Sequence, residues 1–135
     1  MSAFTDPEIS YMKTQRLGRL ATVGADGQPH VVPVSFHHNQ KEDAIEIGGN
    51  NCFAKRKKYW DVVHNPRVAL EIDAVSESLD GARIEIRGQA RVLMTGGTEL
   101  RPGFDDEVLR IRPSRIITWG VNSEDFIQQD AQSVA

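Results

Sequence analysis

The chain reads as a mainly β protein with minor α content: one small antiparallel barrel of about six strands carrying two or three short helices. Three observations predict this class. Short β-prone runs, several of them strictly alternating, recur along most of the 135 residues. Hairpin-type turns join them, the clearest holding Asp26-Gly27. A single helix-like segment is inserted among the strands instead of alternating with them, which disfavours a doubly wound sheet. The same pattern leaves an open α+β sheet as the alternative. The length suits one domain, residues 1–135, and can bury a core without disulfide or metal staples. No internal repeat, low-complexity tract or linker interrupts it.

The elements follow in order. Thr5-Asp6-Pro7-Glu8 is a helix start: Thr5 caps, Glu8 completes a capping box and Pro7 suits the first turn. The helix runs to about Gln15, with Ile9 and Met12 inward. Residues 17–23 and 30–36 are strands joined across Asp26-Gly27. On the second, Val32, Val34 and Phe36 share one face and Val31, Pro33 and Ser35 the other. Pro33 cannot donate to a ladder, so that strand is expected at an edge or bulged. A polar turn over residues 37–43, including His37 and His38, leads to a strand at 44–48 with Ile45 and Ile47 on one face.

Gly48-Gly49-Asn50-Asn51 breaks that strand, and residues 52–64 read as a helix with Phe53, Trp60 and Val63 inward, ending before Asn65-Pro66. Residues 67–73 alternate as a strand through Val68, Leu70 and Ile72. After a loop at 74–81 comes a strand at 82–94, in which Gly88 marks a bulge. Gly96-Gly97 ends it. A short helix is expected at 105–109 and a last strand at 115–121, and the polar tail from Asn122 is expected to fray.

Composition narrows the function. A net charge of −3 disfavours broad nucleic-acid binding. No apolar run approaches the roughly 20 residues that cross a bilayer, and the polar start is unlike a signal peptide, so no membrane partner and a cytoplasmic location are expected. The single cysteine, Cys52, cannot form an intrachain disulfide. No cysteine pair or spaced histidines make a metal signature, and adjacent His37 and His38 would point to opposite faces of a strand. Nothing like Gly-x-Ser-x-Gly surrounds Ser35, and Asp105 and Asp106 lie in a solvated loop. A protein without an acid, base, nucleophile or metal set often leaves the chemistry to a cofactor.

The one local feature that points to a ligand is the basic run Lys55-Arg56-Lys57-Lys58 behind Gly48-Gly49-Asn50. Cations at the first turn of a helix, with its unpaired N–H groups, suit phosphate or carboxylate. Arg56 offers a bidentate fork and the lysines point charges. A solvated helix face is the plain alternative. The spacing is not that of a Walker loop or a dinucleotide fingerprint.

Arg19-Leu20-Ala21-Thr22-Val23, then Asp26-Gly27-Gln28-Pro29-His30-Val31-Val32-Pro33-Val34-Ser35-Phe36, resembles the opening hairpin of the pyridoxamine 5′-phosphate oxidase-like split β-barrel superfamily. Arg56-Lys57-Lys58 ahead of Asn65-Pro66-Arg67-Val68-Ala69-Leu70 fits that group's Arg-x-Lys pattern. The segment Arg112-Pro113-Ser114-Arg115-Ile116-Ile117-Thr118-Trp119-Gly120 is similar to the final strand of an actinobacterial branch that depends on the deazaflavin coenzyme F420.

The resemblance covers residues 4–121. It implies a split antiparallel barrel and a homodimer with a cofactor, F420 or alternatively FMN, in a groove between subunits. It implies further that Arg56 and Lys58, with Lys55 and Lys57 nearby, meet the cofactor phosphate. Val32, Pro33, Val34 and Ser35 would run beside the tricyclic ring, with Gly48, Gly49 and Asn50 near the ribityl chain. Arg115 and Trp119 would reach the site from the partner subunit, or Trp119 would fill the barrel core. The departure from the pattern is Asp61-Val62, where many relatives have Asn-Leu.

The implied activity is hydride transfer between reduced F420 and a small electrophile. The alternatives are an FMN-dependent oxidase or flavin reductase, and a non-enzymatic carrier of F420, flavin or haem.

Overall fold

A computed structural model describes residues 2–73, 81–121 and 126–130, the last of these as backbone. Its elements in chain order are α1 (Asp6–Thr14), β1 (Leu17–Val23), β2 (Pro29–Ser35), β3 (His37–Asn39), β4 (Ala44–Ile47), α2 (Lys57–His64), β5 (Arg67–Asp73), β6 (Arg83–Leu93), α3 (Gly97–Leu100), β7 (Val108–Trp119) and β8 (Phe126–Asp130). The strands form one curled antiparallel sheet in the order β2-β1-β5-β6-β7-β4-β3, and β8 also pairs with β7. The molecule is a split β-barrel.

The capping box at α1 forms as the residues dictate: Thr5 Oγ1 accepts from the Glu8 amide at 3.3 Å, and the Thr5 amide donates to Glu8 Oε1 at 2.8 Å. Met12 is buried, and Ile9 packs partly against the core. The hairpin turns at Gly27, whose φ of 80° is what this turn needs from a glycine. β2 pairs only with β1 among the described residues, so Pro33 does lie on an edge strand.

The core collects the alternating positions: Leu20 of β1, Leu70 and Ile72 of β5, Ile84 and Ile86 of β6, Ile111 and Ile116 of β7, and Ile45 and Ile47 of β4. Gly88 sits at a register break between β6 and β7, where Arg87 pairs with Arg115 and Gly88 with Pro113. Ser114 is the residue left over. Before the break the odd positions Leu109 and Ile111 face inward; after it the even positions Ile116 and Thr118 do. The bulge thereby turns Arg115 and Trp119 to the outside of the barrel.

Several expectations need correction. The helix expected at 52–64 is split: a 3-10 turn at Phe53–Lys55 is followed by extended Arg56 (ψ 149°), and only then does α2 begin. That break resets the helical phase. Tyr59 and Val62 are therefore buried, whereas Trp60 and Val63 are about half exposed. Residues 37–39 form β3, because they continue the chain directly into a hairpin with β4. β4 is buried on both faces, not one.

Its second cover is the segment before β7, where a helix at 105–109 was expected. The Asp105 amide donates to the Gly49 carbonyl at 2.7 Å, and the Gly97 amide donates to the Asp106 carbonyl at 2.9 Å. The helical turn falls earlier, at α3, and Val108 and Leu109 are already strand. β7 is thus twelve residues long, and β8 follows where a frayed tail was expected. Residues 74–80 of the loop expected at 74–81, and the rest of that tail, lie outside the described residues.

Candidate functional site

Asp61 organises the basic run. Its carboxylate is buried, with Oδ1 accepting from Lys57 Nζ at 2.9 Å and Oδ2 from the Thr22 hydroxyl at 2.7 Å. Burial pushes the Asp61 carboxyl up, but the Lys57 and Thr22 hydrogen bonds, with the charges of Lys57 and His30, hold it below the usual carboxylate range. These contacts pin the first turn of α2 to the end of β1, beside the hairpin turn. A Cβ on Gly24 would stand 2.6 Å from Asp61 Oδ1, so a larger residue there would displace the anchoring carboxylate.

The four cations then diverge. Lys57 is engaged by Asp61. Lys55 lines a depression of about 540 Å³ that also carries Asp105, Asp106 and Glu107, a wall that opposes an anion. Lys58 is half-buried, its ammonium 5.4 Å from the centre of the Phe53 ring. Burial and the neighbouring Arg56 charge hold its pKa below the ordinary lysine range. Neither the Arg56 nor the Lys58 side chain has a hydrogen-bond or ion-pair partner among the described residues. Two adjacent cations, one of them partly desolvated and neither paired with an acid, make a site that an anion would stabilise. The donor set fits the phosphate of a flavin-type cofactor.

The remaining residues separate by face. On β2, Pro33 is exposed and Ser35 half-buried on the outer face; Val34 is buried in the core and Val32 packs partly against it. Gly48 and Gly49 make room for packing: a Cβ on Gly48 would lie 2.7 Å from the Phe104 ring and one on Gly49 2.6 Å from the Phe53 ring. Asn50 is exposed.

Arg115 and Trp119 are on the outer face of β7, and Trp119 is 41% exposed, so it is not a core residue. Four strand spacings separate β7 from β2, about 19 Å. That spacing runs along the curled sheet; across the curl, Arg115 lines a depression of about 530 Å³ together with Thr22 of β1, Pro29 of β2, Arg67 and Arg87. Sequence reasoning missed Asp61 and Thr22 as the anchors of the run. The signal was present in the i,i+4 spacing of Lys57 and Asp61.

Among the described residues no group of three or more His, Cys, Asp or Glu could hold a metal ion. No helix there is long and apolar enough to cross a membrane.

With this geometry in view, comparison with known proteins is informative. The family model described as pyridoxamine 5′-phosphate oxidase matches residues 5–120. A 5a,11a-dehydrotetracycline/5a,11a-dehydrooxytetracycline reductase of Streptomyces rimosus is 45% identical over 123 residues, covering 90% of this chain and 86% of the reductase. Among solved structures, general stress protein 26 of Bacillus anthracis superposes with a TM-score of 0.67 at 22% identity, over 92% of this chain and 97% of that one. A putative pyridoxamine 5′-phosphate oxidase of Listeria innocua gives 0.64 at 21% identity, over 82% and 93%. The two structural likenesses speak for the fold alone.

Proposed function

The chain belongs to the pyridoxamine 5′-phosphate oxidase family and is an oxidoreductase; from that premise we propose that it uses reduced deazaflavin F420 to reduce an activated carbon–carbon double bond in a small polycyclic molecule. The observation that carries the reading is the unpaired cation couple Arg56 and Lys58, held at the start of α2 by the Asp61 anchor. The substrate class is suggested by the Streptomyces relative, whose name describes reduction of a dehydro compound. Such a reduction adds a hydride to one carbon of the double bond and a proton to the other.

When bound, the coenzyme supplies the hydride. The chain's own residues bind and orient it. Arg56 and Lys58 take the phosphate at the hairpin end of the barrel, near Thr22 and His30, which pair across β1 and β2. From His30 to Ser35 the edge strand runs about 17 Å, enough to lie alongside a ribityl chain and a tricyclic ring. Pro33 has no amide hydrogen to leave unsatisfied at that edge. Pro33 and Ser35 are the side chains of β2 that can face the ring.

A second copy of the chain completes the site in this reading. In it Arg115 and Trp119, on the outer face of β7, reach the ring edge from the partner. The outer face carries exposed Leu17, Val31 and Trp119, side chains suited to burial between subunits. A cytoplasmic enzyme follows from its use of a soluble reduced coenzyme.

FMN is the second reading, and one observation favours it. With Lys57 paired and Lys55 facing acids, two cations remain, and they match a single terminal phosphate.

The test is anaerobic mixing of the protein with reduced F420 and a panel of cyclic enones, including 5a,11a-dehydrooxytetracycline. Protein-dependent return of the oxidised coenzyme absorbance is expected. Turnover with reduced FMN and none with reduced F420 would move the assignment to the second reading. No turnover with either, at saturating coenzyme, would leave a carrier.

A further inference from the structure

On the outer face of the sheet one row of paired positions runs from β2 to β7: Val31, Ala21, Ala69, Arg87 and Arg115. Its middle is two alanines, and its far end sets two arginines directly opposite each other. Like charges so placed destabilise a strand pair. The leftover residue Ser114 brings Arg115 into that register, since the inward parity of Leu109 and Ile111 would otherwise carry it into the core. Arg67, opposite Gln89, is a diagonal neighbour of Arg87, and such positions lie about 7–8 Å apart.

Short side chains beside long ones leave a hollow. The depression of about 530 Å³ is lined by all three arginines together with Ala21, Val23 and Ala69. Alternation with buried Leu20, Val68 and Leu70 puts both alanines on the outer face. No acid is among its described lining residues, in contrast to the depression beside Lys55.

The arginines differ in what already engages them. Glu85 accepts from Arg87 Nε at 2.7 Å, and the terminal nitrogens of that guanidinium donate to nothing among the described residues. The Arg67 side chain is exposed and has no partner among them either. Arg115 has Asp130 of β8 as its register partner on the other side, so the unmet charge in the hollow rests on Arg67 and Arg87. A guanidinium stays charged throughout the physiological range, and this positive character needs no particular protonation state.

We propose that the hollow is the acceptor-substrate subsite, where a flat polycyclic molecule lies on Ala21 and Ala69 and its enolate or carboxylate oxygens meet Arg67 and Arg87. The inference rests on the function proposed above and adds where the acceptor sits and that it is an acid. A delocalised oxyanion matches the planar fork of a guanidinium, and a low apolar floor accepts a ring face. The volume is that of a small-ligand site. In the proposed dimer Arg115 reaches the ring edge of the coenzyme held by the other chain, so a molecule in this hollow lies against that ring. The arginines hold and orient the acceptor, and no proton leaves them.

The test is a fluorescence titration of coenzyme-free and F420-loaded protein with oxytetracycline, a probe of four fused rings with an enolised, acidic edge. It is run in metal-free buffer at low and moderate salt. Arg67→Gln removes an exposed cation, and Ala69→Leu fills the floor without touching a charge. Saturable binding weakened by salt is expected, with each variant losing about tenfold in affinity. Both should keep the parent's affinity for F420 within about twofold. Oxytetracycline affinity unchanged in either folded variant, or no saturable binding by either form of the parent, would overturn the inference. So would an Arg67→Gln protein that loses affinity for F420 and not for oxytetracycline, because the cation would then serve the coenzyme's own carboxylates. Absence of turnover with either coenzyme strikes the functional reading alone, since the titration reads the hollow without any reaction.

Discussion

Asp61 is a buried carboxylate with both oxygens taken, one by Lys57 and one by Thr22. Because its folded pKa is depressed, its contribution to stability is fully present above the ordinary aspartate range and is lost as pH falls through the folded value. Asp61→Asn should therefore cost about 1.5–3 kcal/mol at neutral pH, the worth of hydrogen bonds to a charged group. The gap to the parent protein should close as the pH is lowered below that range. Urea unfolding from pH 7 down to pH 3 checks it, and a gap that persists in acid would assign the cost to packing instead. The run at 55–58 was legible in the sequence as a string of cations. Which of them are available was not, because that depends on a hydroxyl 39 residues away in the chain from Asp61. The same limit hid the His38–Asp43 contact to the first residues of the chain.

At the level of elements, local chemistry carried the reading wherever it was decisive. The capping box, the Asp26-Gly27 turn, the alternation of β5 and the edge placement of Pro33 all follow from a few adjacent residues. The bulge at Gly88 was legible as a glycine inside a strand. Its consequence, the exchange of inward parity along β7, needed the partner strand. There a Cβ on Gly88 would stand 2.2 Å from the Arg112 carbonyl oxygen. Gly88→Ala should force β6 and β7 apart and destabilise the fold by about 1–3 kcal/mol, read as a lowered Tm. It should also loosen the placement of Arg115, which the bulge directs outward. What the sequence hid was tertiary cover. Residues 101–107 are held over β4 by hydrogen bonds to Gly49 and Phe53, and no periodicity announces such a loop. The extended residue Arg56 likewise shifts the inward stripe of α2 by one position, from Trp60 and Val63 to Tyr59 and Val62.

For the whole molecule, the sheet order sets the argument. It sets β2 four strand spacings from β7 along the curled sheet, and in the proposed site Pro33 of one chain meets Arg115 of a second. It also brings the cation couple to the turn end of the β1–β2 hairpin. The central claim is that Arg56 and Lys58, and not Lys57, receive an anionic redox coenzyme. The most direct measurement is a fluorescence titration with oxidised F420, and in parallel with FMN, at low and moderate salt. It compares the parent protein with Arg56→Ala, Lys58→Ala and Lys57→Ala. The account predicts that salt weakens binding, that the first two variants each lose about ten- to a hundredfold in affinity, and that Lys57→Ala loses little beyond stability. Equal affinity in the parent, Arg56→Ala and Lys58→Ala, all three folded, would contradict it.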